Sequence, residues 1–96
     1  MPEVKGHIEG KHSDCKVLLY ALSTCIWCRK TRQLLEDEDV TFDCVYVDRL
    51  DAEERKACRQ HIRRFSDRTS FPTIIFDDTD CITGYKPEAI KERLGL

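Results

Sequence analysis

Cys25 and Cys28, separated by Ile26 and Trp27, are the residues of this chain best placed to do chemistry. Two thiols about one helical turn apart can attack and close disulfides, or supply half of a tetrahedral metal site. The surroundings favour thiol–disulfide exchange. Lys16 to Leu22 is a strand-type run and Arg29 to Glu38 a helix-type run, so the pair falls at a strand-to-helix junction. A thiolate there gains free backbone N–H groups and the positive end of the helix dipole. Cys25 then reads as the nucleophile and Cys28 as the resolving thiol, which attacks the mixed disulfide and releases reduced substrate. The rival reading is a metal-binding module with the same two cysteines as ligands. It needs help from Cys15, Cys44, Cys58, Cys81 or a histidine, and there is no second CxxC and no HxxxH. Trp27 is expected to be exposed and in contact with a partner, and Ser23 and Thr24 to cap the helix.

The elements that must position this pair follow from periodicity. Residues 1–14 carry Gly6 and Gly10 and no period, which reads as a flexible N-terminal tail before a domain at 15–96. Val17 to Leu22 is continuously apolar, as in a central strand covered on both faces. The first helix spans about Cys25 to Glu38, with Cys28, Thr31, Leu34 and Leu35 on one side. Thr41 to Val47 is a second strand. Asp51 and Glu54 form a capping box for a second helix with Cys58, Ile62 and Phe65 as its apolar stripe. Thr73 to Phe76 is a third strand, Asp77 to Asp80 a turn, and Cys81 to Thr83 the antiparallel return. Pro87 opens a last helix. The order is βαβαββα, an α/β fold with a mixed four-stranded sheet and helices on both faces.

Composition sets the class. Ninety-six residues make one domain, and 41% hydrophobic with 35% charged residues at net charge −2 suits a soluble globular protein without broad nucleic-acid binding. No apolar run approaches the ~20 residues of a membrane span. The N-terminus lacks the apolar centre of a signal peptide, so a cytoplasmic location is expected. Six cysteines raise the possibility of a secreted disulfide scaffold. The absent export signal, the periodic core segments and the redox spacing argue against it. Cys44 and Cys58 are expected to be buried, inert thiols, and Cys15 or Cys81 a regulatory one. His7, His12 and His61 are assigned no catalysis. The Arg-rich face of the second helix reads first as solvated, and second as a docking face.

Three motifs together resemble the glutaredoxin branch of the thioredoxin superfamily, over roughly Lys16 to Leu96. Ser23-Thr24-Cys25-Ile26-Trp27-Cys28 looks like the family's Thr-Cys-Pro-Tyr-Cys site. Ser70-Phe71-Pro72 stands where glutaredoxins carry Thr-Val-Pro with a cis proline. Thr83-Gly84-Tyr85-Lys86-Pro87-Glu88-Ala89-Ile90 resembles the Ser-Gly-Phe-Arg-Pro-Asp-x-Ile of NrdH-type redoxins. The resemblance implies a thioredoxin-like fold and a cytoplasmic, monomeric disulfide reductase acting on disulfide-containing client proteins. It implies no required cofactor beyond the cysteine pair, and a reductant that is either thioredoxin reductase or a small thiol such as glutathione. Substrate contacts are then expected from Trp27, Lys30, Ser70, Phe71, Pro72, Gly84 and Tyr85, with the backbone at Phe71 pairing with an extended substrate. Ile26 in place of proline also leaves open an iron–sulfur cluster held between subunits. Glutathione-holding members place two acidic residues after the glycine of the last strand; here Lys86 and Pro87 stand there. Lys30, Arg59, Arg63, Arg64 and Arg68 are candidate sources of cations for the carboxylate or sulfonate of a small thiol, and the sequence does not say which of them face the site.

Overall fold

The computed structural model describes residues 5–96. Its elements are β1 (Lys5–Ile8), β2 (Val17–Ala21), α1 (Ile26–Asp37), β3 (Phe42–Tyr46), a 3-10 turn (Val47–Arg49), α2 (Ala52–Arg63), β4 (Thr73–Phe76), β5 (Asp80–Thr83) and α3 (Pro87–Leu94). They form one mixed sheet in the order β1-β3-β2-β4-β5. β2 and β3 run parallel, and the other neighbours are antiparallel.

The unbroken apolar run of β2 is explained by what covers it. Val17, Leu19 and Ala21 pack into one cluster with Cys28 and Leu35 of α1 and Ile90 of α3. Tyr20 packs on the other face with Val47, Ile62 of α2 and Ile75. Helices therefore cover both faces, as expected. Leu19, Leu35, Ile62, Ile74 and Phe76 are fully buried. Each such side chain contributes about 1.5–3 kcal/mol through removal from water. No helix among the described residues is long and apolar enough to cross a membrane.

The sheet has five strands where four were expected, because Lys5–Ile8 pairs antiparallel with β3. Residues 1–4 of the expected N-terminal tail lie outside the described residues. Lys-Gly-His-Ile carries no apolar run, so what docks β1 lies far along the chain. Lys5 Nζ reaches Glu54 at 3.0 Å, and His7 lies between Asp43 at 2.6 Å and Glu9 at 2.7 Å. Gly10, read from sequence as a sign of mobility, is instead a close contact. Its N–H donates to Thr41 Oγ1 at 2.9 Å, and a Cβ there would lie 2.3 Å from the Asp39 carbonyl oxygen.

Helix caps are partly as expected. Asp51 accepts the Glu54 N–H at 2.8 Å, but Glu54 turns its carboxylate to Lys5, leaving half a capping box. Neither Ser23 nor Thr24 caps α1; Cys25 itself occupies that place.

Candidate active site

The loop from β2 to α1 places Cys25 as the N-cap of α1, with extended backbone (φ −91°, ψ 120°). The Cys28 N–H donates to Cys25 Sγ at 3.3 Å. A negative sulfur in that position gains both this donor and the helix dipole. The Cys25 side chain is part-exposed, whereas Cys28 is only 2% exposed. Burial, followed by the contact with Cys25, pushes the Cys28 thiol up to about 12, so it is protonated at neutral pH. Its sulfur accepts the Leu22 N–H at 3.5 Å. One accessible sulfur and one buried, protonated sulfur are thus held one turn apart.

Asp48, which the sequence reading missed, fixes the loop just before Cys25. Ser23 donates its N–H to Asp48 Oδ1 at 2.9 Å and its hydroxyl to Oδ2 at 2.5 Å. Arg49 Nε donates to the Ser23 hydroxyl at 3.2 Å. Desolvation opposes ionisation of Asp48, but the Ser23 donors prevail and hold its carboxyl below the usual range. The signal for this contact is register. β2 and β3 are parallel with Ala21 opposite Tyr46, and two further residues along each strand bring Ser23 beside Asp48. Sites in such sheets gather beyond the carboxyl ends of parallel strands.

Beside the cysteine pair lies an open cleft of about 290 Å³, lined by Trp27, Phe71, Pro72, Gly84 and Tyr85. All five were expected from sequence to touch substrate, and the fold brings them together. Trp27 is 53% exposed and stacks on Tyr85, with ring centroids 5.9 Å apart. Lys30 Nζ stands 4.9 Å from the Trp27 ring centroid, a cation–π distance. The Phe71–Pro72 peptide bond is cis, and the Pro72 carbonyl accepts the Gly84 N–H at 2.8 Å. Gly84 has φ 86°, a conformation other residues rarely adopt, and the Lys86 side chain runs past it. Ser70 does not line the cleft; its carbonyl accepts the Thr73 hydroxyl at 2.6 Å. Among the described residues, no carboxylate lines the cleft.

Of the remaining cysteines, Cys44 shares the buried cluster that holds Cys28. Cys44 is buried and its thiol is pushed up by desolvation, while Cys15, Cys58 and Cys81 are part-exposed. Cys58 is therefore less buried than expected. All six cysteines are free thiols in this structure. Among the described residues, no three His, Cys, Asp or Glu side chains gather in a way that could hold a metal ion. His61, given no role from sequence, shares hydrogen bonds with the Tyr20 hydroxyl at 2.8 Å and Asp78 at 2.7 Å, tying α2 to the β4–β5 turn.

Comparison with known proteins gives the same picture. The glutaredoxin family model matches residues 17–81. Among curated proteins, none matches this chain. The solved glutaredoxin from Methanosarcina mazei Go1 is 45% identical, with TM-score 0.92, over 98% of this chain and 90% of that one. Methanosarcina acetivorans methanoredoxin is 41% identical, with TM-score 0.91, over 97% and 98% of the two chains. The glutaredoxin grx-1 of Archaeoglobus fulgidus is 35% identical, with TM-score 0.75, over 82% and 85%. Family match, fold and the CxxC at the head of α1 agree, and the chain belongs to the glutaredoxin family.

Proposed function

We propose that the protein is a dithiol disulfide reductase working in the cytoplasm on protein disulfides or thiol–protein mixed disulfides. The observation that carries this reading is the asymmetry of the cysteine pair: Cys25 part-exposed under an N–H donor, Cys28 buried and protonated behind it. The Cys25 thiolate attacks one sulfur of the client disulfide, forming a mixed disulfide and expelling the other sulfur as a thiolate. Cys28 then loses its proton to solvent and attacks Cys25 Sγ. The second client thiolate leaves, and the Cys25–Cys28 disulfide forms. Two electrons have passed from protein to client. An external donor, thioredoxin reductase or a small thiol such as glutathione, returns them.

Trp27, Phe71, Pro72, Gly84 and Tyr85 form the floor and walls that an extended client chain would lie against, with Lys30 and Lys86 at the rim. Ser70 holds the approach to β4 through its carbonyl, which accepts the Thr73 hydroxyl. A cleft without carboxylates, bordered by lysines, offers nothing to the ammonium group of glutathione, which favours thioredoxin reductase or an anionic thiol lacking that group.

NADPH consumption during disulfide reduction, coupled in one assay to thioredoxin reductase and in the other to glutathione and its reductase, distinguishes the donors. Cys25→Ser is expected to abolish turnover with any donor, and Cys28→Ser to accumulate a client-linked mixed disulfide detectable by mass. Substantial reductase activity in Cys25→Ser would sink the mechanism.

A further inference from the structure

We propose that the outer face of α2 is a docking surface for an acidic segment of the protein that presents the disulfide. The inference rests on the disulfide-reductase reading above. Lys56, Arg59, Gln60, Arg63 and Arg64 line, with Thr69, an open groove of about 460 Å³. Lys56, Arg59, Gln60 and Arg63 of α2 and its C-cap Arg64 are exposed. They recur at helical spacing and so share one side of α2.

The bland reading is a solvated charged face, and the gathering of four cations round one groove, with no carboxylate among its described lining residues, argues against it. Some cations elsewhere have carboxylate partners, such as Arg32 with Glu36 at 2.8 Å, Lys5 with Glu54 at 3.0 Å and Arg93 with Asp80 at 2.8 Å, while others, such as Arg29 and Arg68, stand singly without one among the described residues. Among the described residues, Lys56, Arg59 and Arg63 have none, and Arg64 reaches Asp78 only at 3.9 Å. The chain holds 18 acidic and 16 basic residues, so an unmatched row does not follow from general basicity. The helix dipole accounts for Arg63 in the last turn but not for Lys56 and Arg59 in the middle. Arg55, Arg59 and Arg63 stand four apart, and like charges at that spacing repel. A negative partner lying on the face relieves that repulsion.

Position connects the groove to the redox site. Thr69 lines the groove and Phe71 lines the cleft beside Cys25. With successive Cα atoms 3.8 Å apart, the two lie within about 8 Å of each other. A client whose disulfide enters the cleft therefore extends over the C-terminal end of α2. The form of the groove also selects its occupant. From Lys56 to Arg64 the cations spread over about 12 Å of helix, which suits an extended acidic segment better than one small anion. Among the described residues, no aromatic side chain lines the groove, so nucleic-acid bases have no platform there to stack on.

The test uses two disulfide peptides of equal length, one flanked by a run of Glu and the other by Gln, and the pre-reduced protein in single turnover. At low ionic strength the Glu peptide is expected to react about tenfold faster. The advantage should vanish near 1 M salt, where the Debye length is about 3 Å. It should shrink to within about twofold in Lys56→Gln/Arg59→Gln/Arg63→Gln, with the Gln-peptide rate unchanged. Glutamine keeps helix propensity at these exposed positions, and circular dichroism checks the fold. In parallel, the oxidised wild-type protein is titrated with the Glu peptide, and the shifted amides are expected on α2. No Glu advantage, an advantage that survives in the triple variant, or stronger shifts of the same amides by oligouridylate or glutathione would each overturn the proposal. If neither peptide is reduced, the reductase reading fails, and the amide titration still decides whether the face binds acidic chains.

Discussion

At the scale of single residues, the site depends on how the backbone just before Cys25 is held. Ser23 gives both its N–H and its hydroxyl to Asp48, and Arg49 donates to the same hydroxyl. Asp48→Asn leaves one acceptor oxygen and sets an amide N–H against a Ser23 donor. The loss of stability is expected at about 1 kcal/mol, the low end for a charged hydrogen bond because the side chain is 33% exposed. Denaturant unfolding of both proteins measures it. The pH dependence has a definite sign. Asp48 has a lowered value in the fold, so its contribution is complete above the unfolded carboxylate value of about 3.9. It is lost as the pH falls through the folded value, so the gap between wild type and Asp48→Asn should close in acid and stay open at neutral pH. Because the clamp also sets where Cys25 lies, alkylation of that thiol should slow severalfold in the variant. An unchanged rate would limit Asp48 to a structural role. Cys25 and Cys28 were legible because their spacing is itself the chemistry, and the cleft residues because short motifs carried them. Asp48 was not, since its partner is 25 residues away and only strand register brings the two together.

At the scale of elements, periodicity revealed the buried ones and missed the edge. β2 and α1 declare themselves because each has a face in the core: Leu19 and Leu35 are completely buried. β1 has alternately exposed and half-buried residues and nothing in its composition to mark it. Besides its ladder with β3 and the packing of Ile8 on the core, it is docked by polar partners of Lys5 and His7, and the His7 contact makes it sensitive to pH. Asp43, and next Glu9, raise His7 above the ordinary imidazole value. The stabilisation of β1 by this contact is therefore complete below the unfolded value of about 6.5 and lost as the pH rises through the folded one. Amide exchange, corrected for its intrinsic pH dependence, should show the protection of β1, taken as a ratio to that of β4, higher in mildly acidic than in alkaline solution. His7→Gln should abolish that difference. Gly10 allows a second test of the same element. A Cβ at 2.3 Å from a backbone oxygen forces the chain to move, so Gly10→Ala is expected to destabilise by about 1–3 kcal/mol. The loss should appear first as exchange at β1 and the Thr41 region. Unaltered protection there would mean the strand is held by its ladder alone.

At the scale of the whole molecule, net charge and local charge point in opposite directions. The chain carries −2 overall, yet the cleft beside Cys25 has no lining carboxylate among the described residues, and Lys30 and Lys86 stand at its rim. Which field an approaching substrate meets depends on distance. The radius of gyration is 12.3 Å, so charges across the molecule act over more than the Debye length of about 10 Å at 0.1 M salt. The rim lysines act from within that length and are screened less. Local charge should therefore govern encounter at the cleft. Small disulfides of equal size and opposite charge test this without any client protein. The reduced enzyme is expected to react faster with a dicarboxylate disulfide such as dithiodipropionate than with the diammonium disulfide cystamine. A ratio of about threefold to tenfold at low salt is in keeping with a field from two partly solvated cations. The ratio should fall towards one near 1 M salt, and Lys30→Gln/Lys86→Gln should reduce it already at low salt. A preference for cystamine would mean that the negative molecule as a whole dominates. The lysine rim would then have no part in choosing what reaches Cys25.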